Sequence, residues 1–505
     1  VAFGPIQEAV AATEPQGADE ALALNRESAA RGFAWTAGFS FVAKVIFPLA
    51  GLFISRTLGP TILGIASLLQ MTLQLSEVVR DAGLTQTFLA EPEVDAAKER
   101  VYTGLALLTG LVPALMVLAL TPTLAAFFRQ PELVWALPFV AVCLVLNALG
   151  TVPNAVLLRR AELKRQGMIG LVSGGVTLAV TILLVVLGFG FKALVVQLVL
   201  GSVLGLLLTL QAEPLRGIAF HREAIGGTFR RSRTLLGANL INNVFLLCDI
   251  FVIQRLVGAK AAGLYNTAQN IAYKPLDLIL FPLSKTLMVA FSQQASDREK
   301  LARAYYRSVV AVLLTVVPIY AVIGFNADSV MGILLGQKFL GGIPILQVLC
   351  IYLAFRTFGN ISGNALVPAG KHHWTFWPWV LALMVTGAGV FYSARLGADA
   401  RLMGIVWSFT GGAMVVYATI TGLAAYTIPL PVEVKRRLAG ALGVTLLTCM
   451  VLSGLFFAGL SPWVRLLVSL VVAPIIQLGL AGLAFERKPL AYFSREGLRS
   501  FWRSL

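Results

Sequence analysis

Long apolar runs alternate with short clusters of charged residues, glycine and proline from residue 33 almost to the end of the chain. A helix needs roughly 20 apolar residues to cross the hydrocarbon of a bilayer. The pattern predicts about fourteen such helices, over 33–56, 61–80, 101–128, 132–158, 166–188, 190–211, 234–257, 261–290, 301–325, 343–367, 374–396, 402–428, 437–460 and 462–485. Little remains for a soluble domain. Residues 1–32 are rich in alanine, carry Glu8, Glu14, Asp19, Glu20 and Glu27, and have no cationic stretch ahead of an apolar one. They read as a disordered cytoplasmic leader, not as a cleavable signal.

The punctuation between runs repeats itself. Arg56-Thr57-Leu58-Gly59-Pro60-Thr61-Ile62-Leu63-Gly64 closes one run and opens the next, and Arg255-Leu256-Val257-Gly258-Ala259-Lys260-Ala261-Ala262-Gly263 does the same roughly two hundred residues later. Both read R-x-[LV]-G-x4-G. Asn154-Ala155-Val156-Leu157 is answered by Asn364-Ala365-Leu366-Val367, and Leu187-Gly188 before Lys192 by Leu396-Gly397 before Arg401. Three collinear echoes predict a duplicated membrane domain, an arrangement that points to a transporter whose halves move about a site between them. Arg56, Gly59, Arg255 and Gly258 are candidates for equivalent periplasmic corners, since glycine permits a tight turn and arginine reaches phosphate or the opposite half.

Composition agrees with the pattern. With 58% hydrophobic and 13% charged residues and a mean hydropathy of +0.82, the chain is unlike soluble domains, which carry about 25% charged residues. Lys and Arg concentrate in alternate connections: Arg159, Arg160, Lys164 and Arg165; Arg216, Arg222, Arg230, Arg231 and Arg233; Arg298, Lys300, Arg303 and Arg307; Lys435, Arg436 and Arg437; and the tail from Arg487 to Arg503. The intervening connections hold scattered charges such as Arg129, Lys192, Lys260 and Lys338. Cytoplasmic loops carry the excess, so both termini are expected in the cytoplasm. The net charge of +16 follows from this bias and from anionic lipid, with no nucleic acid required. Cys143, Cys248, Cys350 and Cys449 sit singly in apolar runs, and His221, His372 and His373 in loops. Neither a disulfide framework nor a metal site nor a cofactor is expected.

Certain residues then reach a family. Phe53-Ile54-Ser55-Arg56 leading into Leu58-Gly59-Pro60 and Gly64, with Asp81-Ala82-Gly83-Leu84 at the end of the second span, resembles the opening of polysaccharide flippases. In the second half, Asp249-Ile250-Phe251-Val252-Ile253, Arg255, Gly258, Gly263-Leu264-Tyr265 and Phe281-Pro282-Leu283-Ser284 are similar to exporters of lipid-linked O-antigen and exopolysaccharide units. These are Wzx-type members of the multidrug/oligosaccharidyl-lipid/polysaccharide superfamily. The resemblance covers nearly the whole chain after residue 32. It implies an all-α polytopic protein of the bacterial inner membrane. An N-terminal six-helix lobe over 33–211 and a second over 234–428 would be joined by a basic linker over 212–233, with two more helices over 437–485 and a basic tail over 486–505. It also implies a substrate, an undecaprenyl-diphosphate-linked saccharide flipped by alternating access. Partners would be membrane lipids, a polysaccharide polymerase and a chain-length regulator.

Charges near the middle of the spans narrow the site, because a charge at the bilayer centre is costly and is tolerated toward a wet cavity or a partner. They are Lys44, Asp249, Lys274, Asp277 and Arg356. Three cations against two carboxylates suit a diphosphate or an acidic sugar. Lys44, Lys274 and Arg356 are substrate-binding candidates. So is Lys285, eleven residues beyond Lys274 and on the same face of a continuous helix. Asp249 and Asp277 are candidates for ion coupling. A blander reading pairs Lys274 with Asp277 across one helical turn. Glu77, Arg80 and Asp81 are explained by an i,i+3 pair and snorkelling, and the tryptophans near Trp374 by an interfacial belt. Pro275 and Pro282 invite a kink in the eighth span. A cation antiporter of the same superfamily remains an alternative, as does a membrane polymerase or ligase. The basic midplane and two extra helices speak against the first, and the short external loops against the second.

Overall fold

The computed structural model describes residues 46–484, apart from 82, 92–93, 161, 221–246, 295–296, 369–373 and 375. Among the described residues there is no strand, and ten helices are long and apolar enough to cross a membrane. In chain order the helices are α1 (Ile46–Leu58), α2 (Pro60–Asp81), α3 (Leu84–Ala90), α4 (Ala96–Phe128), α5 (Glu132–Arg159), α6 (Leu163–Val186) and α7 (Phe191–Ala212). Then come α8 (247–256), α9 (Ala259–Pro275), a π-helical turn (Leu276–Leu280), α10 (Phe281–Gln293), α11 (Arg298–Phe325) and α12 (Ala327–Leu334). A 3-10 turn (Gln337–Gly342) leads to α13 (Ile343–Leu366), α14 (Phe376–Ala394), α15 (Ala398–Thr427), α16 (Val432–Phe457) and α17 (Pro462–Ala484).

The chain forms two compact units. Among the described residues, the first takes in 46–51, 73–121 and 135–220, and the second 52–72, 122–134 and 247–484. Helices α4 and α5 follow the predicted spans because continuous hydropathy and length dictate them. Pro113 and Pro122 are absorbed within α4 without a break. In the first unit, Phe88 of α3 packs edge-on against Tyr102 of α4 at 5.2 Å. The basic residues at the same end are held by partners there. Arg159 donates to the carbonyls of Phe88 and Glu91, Arg160 pairs with Glu213 at 2.6 Å, and Arg216 pairs with Glu99 at 3.1 Å.

The second unit is built around α13, which packs against α9, α11 and α15. Helices α14 and α15 approach closely because small residues meet along their seam: Gly389 against Ser408, Gly404 against Ser393 and Gly412 against Thr386. In lipid such contacts replace the hydrophobic driving force that water supplies elsewhere. Asp297 caps α11, accepting from the amides of Glu299 and Lys300. Those bonds, the Lys300 amide first, hold its carboxyl below the usual aspartate range. The last two helices pack on α11, where Thr445 donates to the Leu313 carbonyl. Arg465, at the start of α17, donates to Asn326, Asp328 and Ser329 around the start of α12.

Candidate functional site

The repeated motif builds the same local structure twice. Gly59 and Gly258 both adopt positive φ, +81° and +115°, the region where a side chain is strained. Each carbonyl then accepts from an amide in the first turn of the following helix, Gly59 from Leu63 at 3.3 Å and Gly258 from Ala262 at 3.1 Å. The glycines that end the two motifs meet within the second unit. A Cβ on Gly64 would lie 1.9 Å from the Ala259 carbonyl oxygen, and one on Gly263 would lie 1.7 Å from that of Pro60. Pro60 and Ala259 occupy the same place in the two motifs, so the contact is reciprocal, as a local twofold requires. The arginines differ. Arg56 donates to the Ile333 carbonyl at 3.2 Å, whereas Arg255 stacks over the Phe127 ring at 4.9 Å.

Two of the midplane charges are buried in the second unit, and partners of both line one small void. Asp249 on α8 is 6% exposed. Its Oδ2 accepts from the Tyr265 hydroxyl at 2.7 Å and from Gln269 Nε2 at 3.2 Å, and its Oδ1 from the Ile250 amide at 2.7 Å. Arg356 on α13 is 9% exposed. It donates through Nη1 to the hydroxyls of Tyr273 at 2.5 Å and Tyr352 at 3.1 Å, and its guanidinium lies 5.1 Å from the Tyr273 ring centroid. Among the described residues no carboxylate forms an ion pair with Arg356, so phenol oxygens and a ring face carry its charge, and Nε is buried without a partner. Between Asp249 and the two tyrosines lies a void of about 30 Å³, closed by Phe409 and Thr410 of α15. That is room enough for a water. Tyr265 stood within the motif that resembles the exporters, whereas Tyr273 and Tyr352 had no signal in the sequence beyond their type, because they come from α9 and α13.

Lys274 and Asp277 form an ion pair at 3.8 Å with side chains 43% and 39% exposed. The pair is long and only half covered by protein, so the charge of Lys274 is neither enclosed nor held in tight geometry. Between Lys274 and position 285 stands the π-helical turn, flanked by Pro275 and followed by Pro282. An i→i+5 turn uses about one residue more than an α turn, so it rotates the later backbone by about a quarter turn. The spacing of eleven therefore does not set positions 274 and 285 on one face as it would in a continuous α-helix. Lys44 lies outside the described residues.

The expected i,i+3 pairing of Glu77 with Arg80 gives way to bonds with α5. Arg80 Nη1 donates to the Asn147 carbonyl at 2.9 Å and to Thr151 Oγ1 at 2.6 Å, while Glu77 Oε1 accepts from Asn147 Nδ2 at 2.7 Å.

Comparison with known proteins gives a consistent picture. The model of a family described as polysaccharide biosynthesis protein matches residues 53–344. The succinoglycan biosynthesis transport protein ExoT of Rhizobium meliloti is 23% identical over 396 residues, 76% of this chain and 78% of that protein. The lipopolysaccharide biosynthesis protein WzxC of Escherichia coli is 23% identical over 355 residues, 68% and 71% of the two chains. Among solved structures, the lipid II flippase MurJ in an inward closed conformation superposes with a TM-score of 0.72 at 11% identity, covering 89% of this chain and 98% of that one. An inward-facing multidrug resistance transporter of the MATE family gives 0.56 at 16% identity, covering 76% and 95%. The fold is that of the MurJ flippase and of the MATE transporter, a polytopic membrane fold.

Proposed function

Because the chain belongs to the polysaccharide biosynthesis protein family, we propose that it is a flippase. Its cargo is an undecaprenyl-diphosphate-linked oligosaccharide unit, moved from the cytoplasmic to the periplasmic leaflet of the bacterial inner membrane for O-antigen or exopolysaccharide assembly. The observation that carries the reading is the family match, on a fold shared with a lipid flippase. The same match favours it over the cation antiporter. Both termini are cytoplasmic in this proposal, and a polymerase and a chain-length regulator act on the delivered unit.

Access alternates as the repeats move. The reciprocal contact of Gly64 and Gly263 joins the corners that the charge bias places at the periplasm, which supports their role as the place where the repeats meet. Lys274 and Arg356, with Lys44 and Lys285 on sequence grounds, supply positive charge for the diphosphate. Arg356 acts through its uncompensated field, because its guanidinium is enclosed by tyrosines. Asp249 and Asp277 are the candidates for a coupling ion.

Deletion of the gene tests this. Surface polymer should disappear while the lipid-linked unit accumulates on the inner leaflet, out of reach of an impermeant lectin in spheroplasts. Wild type should restore both, and Lys274→Gln should restore neither at similar protein abundance. Unchanged polymer together with new sensitivity to cationic drugs would overturn the reading in favour of the antiporter.

A further inference from the structure

A polar cavity of about 360 Å³ lies wholly within the first unit, among α2, α5, α6 and α7. Its size falls in the range of about 300–1,000 Å³ typical of small-molecule sites. Glu77, Arg80 and Asp81 enter it from α2, Asn147, Thr151 and Asn154 from α5, and Gln166 from α6. These groups hold one another in place. Beyond the bonds of Glu77 and Arg80 to α5, Asp81 Oδ1 accepts from Thr85 at 2.6 Å, and Gln166 Nε2 donates to Asn154 Oδ1 at 2.9 Å. Each carboxylate engages one oxygen in these bonds. Arg80 Nε is buried with no partner, so the network is built but not saturated. Gly170 and Gly205 also line the space, with nothing within 4 Å of where a side chain would begin.

The fold itself does not call for this polarity. Glu77, Arg80 and Asp81 stand thirteen, sixteen and seventeen residues beyond Gly64, and the same steps beyond Gly263 reach Leu276, Ile279 and Leu280. Leu276 and Leu280 are fully buried in the apolar core of the second unit. A helix that packs with leucines in one repeat carries ionisable groups in the other, where they are half-buried and face a polar lining instead of an apolar core.

We propose that this cavity is a recognition site for the neutral saccharide part of the cargo, separate from the cations that attract the diphosphate. The chemistry selects sugar over phosphate. Two carboxylates against one guanidinium make the lining net negative, which repels an anion. Carboxylates, amides and hydroxyls set side by side accept from and donate to neighbouring sugar hydroxyls, and the glycines leave room for the flat apolar face of a pyranose. The lining reaches Asn154 and Gln166, close in sequence to Arg159, Arg160, Lys164 and Arg165, the side from which a cytoplasmic unit would load. The identity of the sugar-bearing molecule rests on the flippase reading, while the existence of a sugar site does not.

The test uses full-length protein in nanodiscs, with the four native cysteines replaced by alanine and Gly205→Cys placed in the cavity wall. The rate of its modification by a small methanethiosulfonate is measured with two probes. One is the water-soluble oligosaccharide freed by mild acid from the lipid-linked pool of the source strain, and the other is inorganic pyrophosphate. The oligosaccharide should slow modification and pyrophosphate should not. Asp81→Asn should raise the oligosaccharide concentration needed by about tenfold, as expected for loss of a hydrogen bond to a charged group. Asn154→Ala serves the same purpose if the first variant does not accumulate. Protection by pyrophosphate, or no protection by oligosaccharide up to its solubility in protein that restores polymer export, would overturn the sugar site and leave the flippase standing. Protection by oligosaccharide in a chain that restores no export would overturn the flippase and leave the sugar site.

Discussion

Replacing Gly64 or Gly263 with alanine tests the helix crossing directly. Ordinary contact begins near 3.4 Å, and the new methyl would stand at 1.9 Å from one backbone oxygen or 1.7 Å from the other. The obstacle is a carbonyl, which cannot rotate aside as a side chain would, so the two helices must part by more than an ångström. Overpacking costs about 1–3 kcal/mol and occasionally more, and a backbone obstacle places each variant near about 3 kcal/mol. The two penalties should not add. Once one methyl has parted the helices, the second enters a gap already open, so the double variant should cost about 1 kcal/mol or more below the sum. Gly411→Ala is the control, since nothing lies within 4 Å of its would-be Cβ and alanine improves helix propensity by up to about 1 kcal/mol. Thermal unfolding in nanodiscs should show the two crossing variants about 3 °C below wild type and the control at or above it. If Gly64→Ala and Gly263→Ala both melt with wild type, the close approach is not a feature of the protein.

Three further outcomes are expected. A periplasm-active reporter fused after Gln211 or after Arg487 should be silent, and fusions after Lys192 and after Lys338 active; activity at the first two would refute the proposed orientation. Arg465→Met should cost about 2–3 kcal/mol, less than a fully buried ion pair because Asp328 is 36% exposed. Hydrogen exchange should accordingly rise across 432–484 before the rest of the second unit. The contribution of the Asp297 cap is present above the usual aspartate range and is lost as pH falls through its lowered pKa. Protection of the Glu299 and Lys300 amides, taken relative to the intrinsic exchange rate at each pH, should therefore fall at acid pH in wild type and change much less in Asp297→Asn.

What the chain discloses in one dimension is its hydropathy, and α4, α5, α11, α13 and α15 follow it within a few residues. Helices α3 and α12 escaped notice because they are too short to span a bilayer and too apolar to look like loops. The predicted span over 261–290 is divided by a π-helical turn, a backbone choice to which Pro275 and Pro282 point without specifying it. The repeated motif was visible, but its last glycines touching each other was not, since nothing in a linear pattern says which of two similar corners meet. Arg80 shows the same limit most plainly. Its neighbours in sequence offered a sufficient partner in Glu77, whereas the bonds it forms come from Asn147 and Thr151, distant in the chain and polar for no reason the helix itself supplies.

Helix α14 has a consequence for the membrane rather than for the cargo. Its 19 residues rise about 28 Å, close to the ~30 Å of an average hydrocarbon core. Trp377 near one end, and Phe391 and Tyr392 near the other, are 64–70% exposed, as suits rings seated at the two headgroup levels. The adjoining α15 has 30 residues and rises about 45 Å, so it tolerates a thicker bilayer by tilting less or protruding less. The shorter helix has no such reserve. It acts as a gauge of membrane thickness, and long-chain lipids that bury its aromatic ends should strain this helix first, at a cost of fractions of a kcal/mol for each ångström of mismatch.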